Sequence, residues 1–262
     1  RLDHGAVAAD AGHRGQRKVE PARVADLGWV PLGGFALDDA TRWHAHELIF
    51  GYGSAAIAGF ALTAVPNWTG RLPIAGAPLL GLFALWVSGR AALMLPLPAT
   101  VASSVDAAFL FVLAAALARE VLAGKNFRNL PVCILISCFG AANVAFHLEM
   151  HDVLPAGGFG HRAGLSILVL LIGIIGGRVV PSFTNNWFAR QGLPRAATVT
   201  PSIDRLSHGA SGAALVLWTA YPYEVITALA LAVAAAAQLF RLAHWRGWQT
   251  WHEPLVVVLH VG

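Results

Sequence analysis

Charge is what this chain has least of. Asp, Glu, Lys and Arg make up only 12% of the 262 residues, too few to solvate a soluble domain of that length. The net charge of +4 is scattered between apolar runs with no basic stripe, which argues against nucleic acid as a partner. Cysteine is almost as scarce: Cys133 and Cys138 sit in one apolar run, so there is no disulfide framework and the redox compartment stays open. The opening stretch, residues 1–28, lacks an apolar core long enough for a signal peptide or a span. It reads as a disordered basic tail.

What the chain has instead is hydrophobicity. Apolar residues account for 56% of it and the mean hydropathy is +0.61, the signature of an integral membrane protein. Runs of nearly twenty apolar residues recur, each long enough at about 1.5 Å per residue to cross roughly 30 Å of hydrocarbon. The reading is an all-α fold, a polytopic transmembrane helix bundle over residues 29–262. Its spans fall near 46–65, 74–95, 101–119, 130–149, 162–180, 205–221 and 224–242. An eighth begins at Pro254 and reads as truncated, because "PLVVVLHVG" is too short to cross. Pro66 in "AVPNWTGR" and Pro181 in "VVPSFTNNW" predict helix ends at corresponding faces.

Loop charges orient the bundle. The loops on one side collect Arg71, Arg119, Lys125, Arg128, Arg190, Arg195, Arg205, Arg241 and Arg246, whereas short loops on the other hold Arg162. The first side is therefore the cytoplasmic one. The outer side then gathers His44, His46, His147, His151 and His161.

Imidazoles clustered at a membrane rim are candidate metal ligands. His147 and His151 in "FHLEMH" are four apart and share a helix face, with Asn143 one turn below. His44 and His46 in "HAHE" are two apart and diverge on a helix, so they ligate different centres, or one ligates while Glu47 holds the other from behind. His260 lies inside an apolar run, where a histidine is costly unless it is satisfied. Arg178 either snorkels to lipid phosphate or pairs with an anionic group of a cofactor. Arg90 and Asp106 are opposite charges inside adjacent spans, each eight residues from Pro98. They therefore sit at one depth and are expected to pair.

"WHAHELIFGYGSAAIAGFALTAVPNWTGR", "FHLEMH", "IGGRVVPSFTNNW" and "PLVVVLHVG" together resemble the NnrS family of polytopic membrane proteins. The resemblance implies haem and copper as cofactors, nitric oxide or a related small molecule as the partner, and a bacterial inner-membrane location. It also implies a role in nitric oxide metabolism or protection against nitrosative stress. Relative to that family this chain reads as an incomplete copy. Two other readings stay open on the residues alone: a metal-free, proton-coupled transporter with an intramembrane polar pathway, and an accessory protein whose histidines serve only at the interface.

Overall fold

The structure, a computed structural model, describes residues 40–155, 157–194, 197 and 200–261. The tail expected over residues 1–28 lies outside them, as does Arg195. Every regular element among the described residues is helical. α1 spans Ala40–Thr69, α2 Ala77–Met94, α3 Ala99–Ala123, α4 Leu130–Met150, α5 Phe159–Arg190, α6 Pro201–Ala220, α7 Val225–His244 and α8 Pro254–Val261. Short 3-10 turns at Phe127–Asn129 and Gly247–Thr250 precede α4 and α8.

Six of these helices, α1 to α5 and α7, are long and apolar enough to span a membrane. The expectation of seven complete spans changes at α6. Its length matches a span, but Asp204, Arg205, Ser207, His208 and Ser211 fill its first half and lower its hydropathy. α7 is apolar but little of it is buried among the described residues, so most of its surface lies on the outside of the bundle.

Consecutive helices pack on one another from α2 to α7, and α1 closes against α3. Local sequence sets the corners. Gly70 takes a left-handed conformation (φ 68°) and closes α1, with its N–H on the Pro66 carbonyl. Pro78, Pro131 and Pro201 occupy the first turns of α2, α4 and α6, where a missing N–H costs nothing. At the start of α5 the buried Glu149 carboxylate accepts the N–H groups of Phe159 (2.8 Å) and Gly160 (2.9 Å), capping the positive end of that helix. The core is a column of Phe50, Leu110, Leu113, Leu117, Ile136, Phe139 and Leu171.

Both internal prolines depart from expectation, since α1 continues through Pro66 to Thr69 and α5 through Pro181 to Arg190. Pro66 stands three residues from its helix end, where one lost hydrogen bond matters little. Beyond Pro181 the Thr184 hydroxyl donates to the Val180 carbonyl at 2.8 Å, as serine and threonine side chains commonly do within a helix.

The sidedness follows the loop charges. Arg128 stands at the start of α4 and Arg190 at the end of α5, while His147 and His161 stand at the opposite ends of those helices, on the side where α1 begins with His44. Arg119, Arg190, Arg205 and Arg241, all assigned to loops, lie within helices, and Arg241 is buried there. It lies within α7, 3% exposed, and bonds the Asp204 carboxylate (2.6 Å) and the carbonyl of Gly173, midway along α5. Its guanidinium also lies 4.8 Å from the centre of the Trp245 ring. With Asp204 it forms a second ion pair inside the protein, at the helix ends on the side that the loop charges mark.

Candidate functional site

Residues 40–46 are α-helical, but Glu47–Tyr52 winds as a π-helix before α geometry resumes at Gly53. The Gly53 N–H reaches back five residues to the Leu48 carbonyl. At this widened turn the Gly51 carbonyl takes the Trp86 indole N–H at 3.1 Å and the Ser54 hydroxyl at 2.9 Å. Gly51 also leaves room for ionic groups, since a Cβ placed there would stand 2.5 Å from both Arg90 Nη1 and Glu47 Oε2.

With this winding, the neighbouring residues His46 and Glu47 both serve the interior. His46 is fully buried, its ring 5.4 Å from that of Phe50, 5.2 Å from Phe146 and 4.9 Å from His147 between ring centres. Its Nε2 lies 3.1 Å from Asp106 Oδ2 and 2.9 Å from Asn143 Oδ1, and its Nδ1 lies 3.4 Å from Glu47 Oε1. His147 comes from α4 with Nε2 2.8 Å from the same Asp106 oxygen. Asn143, one turn earlier, donates to that oxygen at 2.8 Å.

The expected ion pair is present. Arg90 Nη2 contacts Asp106 Oδ1, while Arg90 Nη1 donates to both Glu47 oxygens at 2.9 Å. Equal spacing from the turn at Pro98 puts both residues at one depth, and Gly89 lets α2 and α3 approach closely there.

The result is a buried polar knot on α1, α2, α3 and α4 in which His46, Asp106 and His147 each offer a ligand atom within 4.8 Å of the others. With neutral imidazoles the knot carries +1 from Arg90 and −1 each from Glu47 and Asp106, a net −1 inside the bundle. A buried excess charge of that kind attracts a cation or a proton.

The remaining predicted residues lie apart. His44 is exposed on the outer rim. His151 is also exposed. Its ring stacks 6.4 Å from that of His147, but its Nε2 turns to Ser103 Oγ at 3.0 Å, so the two do not converge on one point. His260 stands far along the chain on α8, with Nε2 2.9 Å from Thr184 Oγ1 and its ring against Gly247 and near Trp245. Arg178 donates to the side chain of Asn129 beside the start of α4.

Two features carried no signal in the helical pattern. One is the π-helical segment, which differs from an α-helix only in where its hydrogen bonds close. The other is the role of Glu149 within "FHLEMH", a helix cap rather than a ligand.

The family described as NnrS protein matches residues 22–262 of the chain. No curated protein and no solved structure matched it.

Proposed function

The chain belongs to the NnrS family of multi-pass membrane proteins, and from that premise we propose that it binds copper at His46, Asp106 and His147 and serves nitric oxide metabolism or protection against nitrosative stress at the bacterial inner membrane. One observation carries the metal reading: two imidazole nitrogens and a carboxylate oxygen converge within 4.8 Å in a buried place. That donor set suits copper. Glu47 stands behind His46 Nδ1, the position from which a carboxylate fixes the tautomer and orientation of a metal-bound imidazole.

A haem does not fit this cluster. The two Nε2 atoms approach one and the same Asp106 oxygen, with the imidazole rings 4.9 Å apart and Phe50 and Phe146 packed on His46, so the residues leave no room for a macrocycle between them.

A bound copper ion would supply ligation of a small diatomic and one-electron chemistry. The protein's own groups prepare the place for it. Asn143 holds Asp106 Oδ2 by its amide N–H, and Arg90 holds Oδ1, so the carboxylate cannot rotate away. Glu47 would accept the hydrogen bond of a His46 Nδ1–H and is itself held by Arg90. Phe50 and Phe146 pack against the His46 ring and exclude water.

The net −1 charge also favours the rival, a metal-free site that holds a proton on an imidazole. Metal analysis of the full chain purified from a copper-replete host separates the two. The expected result is copper bound by the wild type and lost from His46→Ala and His147→Ala. A folded wild type without copper would leave the proton-coupled reading in its place.

A further inference from the structure

His46 and the Asp106 side chain are sealed from solvent, so the way into the site is a separate question from its ligands. His147, 3% exposed, is the member of the triad that lines a cavity of about 250 Å³ between α2, α3 and the end of α4. Its walls are apolar, with Leu93, Leu97 and Ala102 among them, and it also presents Ser103, Met150 and His151. Met150 is half-buried and His151 exposed. The His151 ring lies nearly parallel to that of His147, at 10° and 6.4 Å. From rim to interior the donors thus run from thioether and imidazole to imidazole and then to carboxylate.

We propose that this cavity is the loading route of the triad, with Met150 and His151 capturing a cuprous ion at the outer rim and passing it to His147. This rests on the copper reading above. A thioether beside an imidazole selects soft monovalent copper over harder cations. The transfer would be ligand exchange: the Met150 sulphur and His151 nitrogen on the ion are replaced in turn by the His147 and His46 nitrogens, with the Asp106 carboxylate beside them, and the ion keeps its charge. Its +1 cancels the net −1 of the buried knot, which gives the movement its direction. The Met150 sulphur takes a weak contact from Arg42 Nη1 at 3.7 Å, on the side away from this cavity's lining, and capture of the ion displaces it.

The test is the rate of copper uptake. The full chain in detergent, stripped of metal, is mixed with Cu(I) held by a coloured chelator, and loss of the chelate colour is followed in time. Met150→Leu and His151→Phe are expected to load on the order of ten-fold more slowly than the wild type and to reach the same final copper content. Leu97→Trp, which narrows the cavity without touching a donor, is expected to slow loading as well. Wild-type rates in all three variants overturn the route and leave the site standing. A lower final content in Met150→Leu or His151→Phe also overturns it, by making those residues ligands of the resident ion. A wild type that takes up no copper overturns the site itself, and the route with it.

Discussion

Gly89 on α2 meets Asp106 on α3 so closely that a Cβ at position 89 would stand 3.0 Å from the Asp106 Cα and 3.2 Å from its Oδ1. The neighbour in the way is backbone, which cannot swing aside as a side chain would. Gly89→Ala is therefore expected to push the two helices apart and to cost about 1–3 kcal/mol, with Gly89→Val worse. Thermal unfolding in detergent reads the loss. An Ala variant as stable as the wild type would show that α2 and α3 do not approach this closely.

Asp106 joins both halves of the buried knot, holding Arg90 with one oxygen and the imidazoles and Asn143 with the other. Asp106→Asn keeps the shape and changes the net charge of the knot from −1 to 0, while Arg90 retains Glu47. The variant is expected to fold with less loss than the roughly 3–5 kcal/mol of a stranded buried charge, yet to bind no copper. Elemental analysis beside a melting curve checks both halves. Copper at the wild-type level would remove the carboxylate from the proposed ligand set.

The second ion pair allows a cleaner energetic measurement, because it lies away from the knot. Arg241 is buried and bonded to Asp204 at 2.6 Å. Arg241→Met is expected to cost about 3–5 kcal/mol by leaving Asp204 alone. Adding Asp204→Leu should recover part of that loss, with a coupling of roughly 0.5–3 kcal/mol in a double-mutant cycle. Strict additivity would mean that the two charges do not stabilise each other.

Sidedness can be read by labelling. Single cysteines at Arg128 and Arg190 are expected to react with an impermeant thiol reagent only when the cytoplasmic face is open, and cysteines at His44 and His161 from the outside. Both native thiols should first be replaced, since Cys138 is exposed and Cys133 is buried. Labelling of positions 44 and 190 from one face would refute the arrangement.

How much of this was legible in the sequence depended on whether the relation was one of distance along a helix or of direction around it. Arg90 and Asp106 could be paired because rise per residue fixes depth, and equal counts from a tight turn give equal depth. That His44 or His46 would come near His147 or His151 was legible for a similar reason, all four lying near the same rim; the structure brings His46 to His147. Direction failed where neighbouring helices decided which side chain turned inward. Two residues apart on one helix, His44 and His46 could be told to diverge, but which of them faced inward was set by packing against Phe50, Phe146 and α3. His147 and His151 share a face and still serve different partners, because Asp106 and Ser103 are offered to them from different levels of α3. Arg241 was misassigned because a cation close to a helix end looks like a loop cation until the carboxylate that draws it inward is located in space.

The π-helical turn at Glu47–Tyr52 makes α1 a shaft of two segments keyed at different angles. A single inserted residue on an α-helix advances everything beyond it by about 100°. Residues 40–46 can therefore aim at the buried charges while residues 53–69 keep their own face toward the core, and neither alignment constrains the other. Deleting one residue within 48–52 would therefore let the backbone close into plain α-helix with both segments keeping their faces, whereas winding the same six residues as α-helix would turn one segment against the other by about 100° and misdirect His46 as surely as replacing it.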